Sequence, residues 1–481
     1  MSPVRLLAAN EWRLMRRSRV ARLAVLMLAA LSAIAALTAI AHRDSSDALR
    51  ARFQQQADRA FDGQPARHPH RMVHYGHFVF RPLPALAAFD PGVDAFTGNT
   101  IFLEGHRQNS ANFGDVRQSS LLARFGQLTP AFVLQVLGPL VLVFIGFGNV
   151  AREREAGTLR VLRSHGMTAR ALLAGKLLAL GGLAGLILLP ATLALAVLVV
   201  TDGAAPLIAA LLVLAYGVYL GLWVLGIVAV SAAVRTARTA LMVLLGLWAL
   251  TTVLVPRIAP DIALAARPLP TRLETDIAIQ RDLHRIGDSH NPDDPHFTAF
   301  KAKVLARYGV TRVEDLPVNY RGLLAIEGER LTADLFETYA ARQFALEREQ
   351  GAITTSFGLL SPAIALRSLS MALSGTDLEG HRRFLQQAEA YRYAIVQQLN
   401  RLQAEAVTYT DDGQRNSDPE AARRVRIDPR HWHEVPDFAY RGANAAERMS
   451  AAVPGAALLL LWLIVAAACL RLAAGRIEAA S

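Results

Sequence analysis

The stretch PAFVLQVLGPLVLVFIGFGNVAREREAGTLRVLRSHGMTARALLAGKLLALGGLAGLILLPATLALAVLVV, Pro130–Val200, decides the fold. It holds two uncharged apolar runs, Pro130–Val150 and Leu177–Val200, separated by the basic amphipathic segment Ala151–Lys176. Each run exceeds the roughly 18–20 apolar residues needed to cross a bilayer core. A cationic segment between two spans lies on one membrane face, and the excess of Arg and Lys in short loops assigns that face to the cytoplasm. The segment reads as a cytoplasmic elbow.

Outward from the elbow, the same logic orders the rest of the chain. Residues 1–21 carry Arg5, Arg13, Arg16, Arg17 and Arg19 against the single acid Glu11. With Leu6, Leu7, Trp12 and Leu14 they form an interfacial helix on the cytoplasmic surface. Residues 22–42 are the first span; Ala39-Ile40-Ala41 mimics a signal-peptide cleavage site, but the charged lead is too long for a signal peptide. Residues 43–129 are an extracytoplasmic block, helical over Asp44–Phe61 and then Pro/His-rich with loop and short extended structure.

The second span (130–150), the elbow (151–176) and the third span (177–200) follow. The outer loop after them carries Asp202 and no base. The fourth span (207–234) returns to Arg235 and Arg238, and the fifth (239–256) stops at Pro256. Residues 257–450 form a second extracytoplasmic block. Helical periodicity marks Leu273–Ile286, Phe297–Tyr308, Tyr320–Glu349 and Arg382–Ala404 within it. Gly358–Gly375 is apolar but interrupted by Pro362 and Arg367, which predicts a buried or membrane-surface helix rather than a span. The sixth span (451–472) leads to a cytoplasmic tail (473–481). The expected fold is all-α and polytopic, with six transmembrane helices, both termini cytoplasmic, and mainly helical outer domains containing short β and loop structure.

Composition fits this reading. Hydrophobic residues make up 53% of 481, and much of the +11 formal charge is arginine at span ends. Membrane orientation accounts for that charge without a nucleic acid partner. Cys469 is the single cysteine, so neither an intrachain disulfide nor a thiolate metal cluster can form from this chain.

Several strings imitate chemistry. GFGNVA (Gly146–Ala151) has the letters of a dinucleotide fingerprint but no preceding strand, so its small residues serve helix packing. Gly175-Lys176 resembles the end of a phosphate loop, yet Arg170 replaces the first glycine and Leu177 the magnesium-binding hydroxyl. HEVPD (His433–Asp437) lacks the second histidine of a zinc protease. No nucleophile–base set stands out, and the chain is read as non-catalytic, with no cofactor of its own. His68, His70, His74 and His77, with His106 further on, are the metal candidates: imidazoles of one loop bind Zn²⁺ or Cu²⁺ if they converge. The plainer reading is that they are solvated or hydrogen-bonded, and no metal site is expected.

In the elbow, Arg152, Glu153, Arg154 and Glu155 alternate in charge. Gly157-Thr158 permits a break, and Leu159 and Leu162 share one helical face. Composition alone leaves an ordinary juxtamembrane helix as an equal reading. The string Glu153-Arg154-Glu155-Ala-Gly157-Thr158-Leu159, followed by Leu162, Ser164 and Gly175-Lys176, resembles the cytoplasmic coupling segment of type-2 ABC exporter permeases. Ser164–Arg170 departs from that family by lacking a proline soon after the serine. His74–Asn109, Leu316–Leu323 and Ser361–Asp377 resemble a bacterial subfamily with a large outer domain of unassigned function.

The resemblance implies a permease in the bacterial inner membrane. It implies two ABC ATPase subunits that carry ATP and Mg²⁺, and a second permease copy or close paralogue. Glu153, Arg154, Glu155, Gly157, Thr158, Leu159, Leu162, Ser164 and Lys176 would be the ATPase-coupling residues. It also leaves room for a periplasmic partner. The alternatives are a membrane-anchored scaffold or receptor, or a subunit that transmits mechanical work to an envelope partner without moving a solute.

Overall fold

A computed structural model describes residues 2–109, 111, 128–289, 291 and 293–479. The remainder of the first outer block (110 and 112–127) and the end of the tail (480–481) lie outside the described residues. The chain is an all-α polytopic membrane protein. Six helices are long and apolar enough to cross a bilayer: Arg19–Asp62, Pro130–Glu155, Ala169–Asp202, Pro206–Ala233, Ala237–Ala266 and Ala445–Ala479. They are called the first to sixth spans here.

Helix boundaries follow local chemistry. Ser18 ends the amphipathic helix Pro3–Arg17 and caps the first span, its hydroxyl accepting from the Ala21 N–H. Thr168 and Thr236 cap the third and fifth spans in the same way. The first span is one helix of 44 residues, about 66 Å at 1.5 Å per residue, roughly twice a bilayer core. Its apolar half and the following polar half, expected as two elements, are therefore continuous.

Pro256, expected to end the fifth span, does not. The helix of the fifth span passes through Pro256 and Pro260 to Ala266. A π-turn at Ala249–Leu254 precedes Pro256, and the Ser361 hydroxyl donates to the Thr251 carbonyl that the proline cannot serve. A second π-turn, Val133–Leu137, precedes Pro139, and the Tyr219 hydroxyl donates to the Gln135 carbonyl at 2.8 Å. Side chains from distant segments thus replace the missing backbone bonds.

The main core lies among the spans and includes Leu142, Leu183, Ile187, Tyr216, Tyr219 and Ile227. Leu186, Leu189, Leu193 and Val197 point outward, as a lipid-facing surface requires. Helix Pro362–Ser374 packs on the fourth and sixth spans, with Ala365, Leu366, Leu369 and Ser370 buried. Its Ser370 meets Tyr216, about 15 Å along the fourth span from Pro206.

Beyond the spans stands the large domain. Long helices Tyr320–Ser356 and Leu378–Ala406 pack together, and strands β1 (His77–Phe80) and β2 (Thr100–Leu103) pair antiparallel beside them. Helix Pro69–Tyr75 contributes to a core of Phe61, Met72, Val73, Val396, Leu399 and Trp432, and β1 and β2 pack Val79, Ile101 and Leu103 with Phe384 and Ala388. Residues from both polar blocks therefore build one structure.

Candidate functional site

The elbow is two short helices with a turn between them. Ala151–Glu155 is the last stretch of the second span, and Thr158–Ser164 is the elbow helix. Gly157 joins them with φ +74, a left-handed conformation that side chains disfavour, and nothing crowds the position of its absent Cβ. Gly166, with φ +82, closes the elbow helix in the region where the resembling family carries proline.

The first turn is a clamp. The buried Ser231 hydroxyl, near the end of the fourth span, accepts from the N–H groups of Val150 and Ala151 at 3.0 and 3.2 Å. Arg154 reaches back to the same place, donating to the Ala232 carbonyl at 2.6 Å and to the Val234 carbonyl. These are carbonyls that a helix C-terminus leaves without partners. Glu155 accepts from the Ala237 N–H at 3.2 Å, serving the start of the fifth span. Charges on adjacent residues thus hold two different helix ends.

Glu153 completes the arrangement. Lys176 lies two turns inside the third span and is only 1% exposed. Its ammonium donates to Glu153 and, at 2.6 Å, to Glu11 of helix Pro3–Arg17. One lysine thereby ties the N-terminal helix, the elbow and the third span. An unpaired ammonium at such a depth would be strongly disfavoured, so two carboxylates around it are the expected solution.

The remaining elbow residues sit differently. Thr158 donates to the Glu153 carbonyl at 3.2 Å across the Gly157 turn, and Ser164 donates to the Val161 carbonyl at 2.9 Å. Leu159 and Leu162 are half-buried, Val161 is 56% exposed, and no residue of the elbow helix is fully buried. The residues named from sequence therefore divide. Glu153, Arg154, Glu155 and Lys176 are tied within this chain, while the elbow helix leaves Val161 exposed and Leu159 and Leu162 half-buried. Glu11 and Ser231 were not anticipated. The only available signals were a lone acid among arginines and a serine at a span end.

The histidines divide too. His70, His74 and His106 converge, with ring nitrogens that all lie within 4.8 Å of one another. His68 and His77 are elsewhere, which corrects the grouping read from the loop. His68 caps helix Pro69–Tyr75, accepting from the His70 N–H, and its Nε2 lies 3.2 Å from buried Asp412. His77 sits on β1 with its Nε2 3.1 Å from Asp58. Burial and the neighbouring imidazoles His74 and His106 lower the His70 pKa to about 4.

A third feature joins the spans to the large domain. Gln135 donates to the Tyr216 hydroxyl at 2.8 Å, Tyr216 lies 3.0 Å from Ser370, and Ser370 donates to Asp90 at 2.5 Å. Thr376 donates to the Asp90 carbonyl at 3.0 Å. Burial raises the Asp90 pKa, opposed by the Ser370 hydrogen bond. The fourth span is thus clamped at one end by Ser231 and Arg154, and bonded through Tyr216 and Ser370 to Asp90.

A family profile described as ABC-2 family transporter protein matches residues 5–301. A second, described as a domain of unknown function, DUF3526, matches residues 272–441. No curated protein matches the chain closely enough to add a relative. The first profile spans more than half the chain, and the chain belongs to the ABC-2 transporter family, as a permease-type membrane subunit with an additional domain. Such a subunit works in association with an ABC ATPase.

Proposed function

We propose that this permease couples ATP hydrolysis on a separate ATPase to export across the bacterial inner membrane, and that the ATPase contact is the elbow helix Thr158–Ser164. The observation that carries this reading is the contrast inside the elbow. The flanking charges are engaged by this chain, yet Val161 is exposed and Leu159 and Leu162 are only half-buried. An apolar surface held by an ionic clamp is suited to receive a partner and pass on its displacement.

Energetics favour the apolar side as the adhesive. An exposed ion pair contributes about 0–1 kcal/mol, whereas full burial of one aliphatic side chain contributes about 1.5–3 kcal/mol. The clamp then does something else. Because it fixes the elbow to the third, fourth and fifth spans and to helix Pro3–Arg17, displacement of the elbow moves several helices together. In this arrangement two permease chains, identical or closely related, pair with two ATPase subunits. ATP and Mg²⁺ stay on the ATPase, and both termini face the cytoplasm.

The link from Tyr216 through Ser370 to Asp90 supports a second reading, mechanical work on an envelope partner through the large domain without solute movement. Both readings require the same elbow contact. Leu159→Asp and Gly157→Trp are expected to abolish ATPase capture by membrane-inserted permease and to uncouple hydrolysis from transport. Capture of the co-expressed ATPase by both variants at the wild-type level would remove the docking assignment.

A further inference from the structure

We propose that His70, His74 and His106 are the protein ligands of a divalent transition-metal ion, Zn²⁺ or Cu²⁺, bound on the large domain. His70 and His74 stand one helical turn apart on Pro69–Tyr75, so both imidazoles leave the same face. Their Nε2 atoms are 3.2 Å apart. Two nitrogens bound to one tetrahedral zinc at 2.0–2.1 Å are separated by about 3.4 Å, so this pair already has the spacing of shared ligands. His106 supplies the third ring, with centroids 5.9 Å from His70 and 5.4 Å from His74. An adjustment on the order of 1 Å, within reach of imidazole rotation, completes the set.

The surroundings hold these rings in place. Pro69, Met72 and Val73 are buried, which fixes the helix that carries two of the ligands. His68 caps that helix and is itself held by Asp412. His106 sits on the turn after β2 at φ +62, and among the described residues it is the single non-glycine with positive φ. A left-handed conformation is uncommon outside glycine, and histidine is among the side chains that tolerate it. Its N–H donates to buried Glu329 at 3.3 Å, and Glu329 Oε2 lies 3.6 Å from Nδ1. A carboxylate behind a ligating imidazole orients the ring and raises its basicity.

The donor set selects the metal class. Three imidazoles without thiolate or carboxylate ligands suit Zn²⁺ and Cu²⁺ rather than Mg²⁺ or Ca²⁺. Three protein ligands leave a coordination position for solvent or for a group from outside the chain. His74 is exposed and the other two are half-buried, so the site can be reached from solvent.

The test uses full-length protein in detergent, stripped with a chelator and dialysed against Zn²⁺ or Cu²⁺ separately. Wild type is expected to retain one equivalent of metal per chain, measured by elemental analysis. The Cu²⁺ form should show nitrogen hyperfine coupling in electron paramagnetic resonance. His74→Ala and His106→Ala should each bind at least tenfold more weakly, while His433→Ala, away from the cluster, binds as wild type. Because His74 is exposed, its variant should fold, as size-exclusion chromatography will check. Retention of less than a stoichiometric amount by wild type, or undiminished binding by folded His74→Ala and His106→Ala, would overturn the site.

Discussion

The elbow and the large domain both place charges in confined surroundings, and they use them for opposite purposes. At the elbow, Arg154 and Glu155 are bonded to the backbone at span ends, and Ser231 does the same in reverse. In the large domain the charges mostly meet side chains. Glu329 meets Arg392 at 2.6 Å, Arg392 meets Glu389 at 2.7 Å, and buried Asp412 accepts from Asn319 at 2.8 Å and Gln403 at 2.9 Å. A charge on a helix end makes two helices move as one. A buried network among side chains fixes one packing against its alternatives. In the proposed mechanism the elbow transmits, while the large domain holds its form.

The comparison is strained most by Lys176→Met. It leaves the Glu11 and Glu153 carboxylates confined without their cation, a loss of about 3 kcal/mol at the lower end of the range for breaking a buried pair. The melting temperature of the detergent-solubilised protein should fall, and helix Pro3–Arg17 should become accessible to protease. Adding Glu11→Gln and Glu153→Gln should recover much of that stability, because the uncompensated charges are gone. Coupling to the ATPase should not recover, since the link between elbow and third span is then neutral and weak. Recovery of both together would mean that the ion pairs stabilise without transmitting.

Asp412 tests the other side. Burial alone would raise its pKa, but the hydrogen bonds from His68, Gln403 and Asn319 outweigh it and hold the value well below the usual 3.8. A depressed carboxylate stabilises the fold above its unfolded pKa and loses that contribution as pH falls toward its folded value. The wild-type large domain should therefore lose stability below about pH 4. Asp412→Asn should cost about 2 kcal/mol at neutral pH, as expected for losing hydrogen bonds to a charged group, and should flatten that part of the acid response. Thermal melts at several pH values distinguish the two proteins. The elbow clamp should be untouched, so ATPase capture at neutral pH should match wild type.

What could be read from the residues follows the same division. Spans are legible because hydropathy sums over neighbours, and the elbow is legible because its charges and glycine are consecutive. Pro256 misled because its remedy, the Ser361 hydroxyl, lies 110 residues from the Thr251 carbonyl it serves. His68 and Asp412 are 344 residues apart, and no periodicity links them. His70 and His74 read as members of one loop; the helix Pro69–Tyr75 sets them one turn apart, and the pairing of β1 with β2 brings His106 beside them. Glu11 and Lys176 each stood out as isolated charges, without any sign that they would meet.

The smallest perturbation is the sharpest test of transmission. Ser231→Ala deletes one oxygen and leaves the charges of Glu153, Arg154 and Glu155 in place. It removes the acceptor for the Val150 and Ala151 N–H groups, a capping loss of about 1 kcal/mol. Global stability should change little, because Arg154 still holds the Ala232 and Val234 carbonyls. The joint between second and fourth spans would be looser, however, since one of its two directions of hydrogen bonding is gone. The expected result is wild-type ATPase capture with reduced transport per ATP hydrolysed, measured in proteoliposomes. The same loosening should appear as faster amide exchange at Val150 and Ala151. Unchanged exchange at both positions would show that Arg154 alone carries the joint.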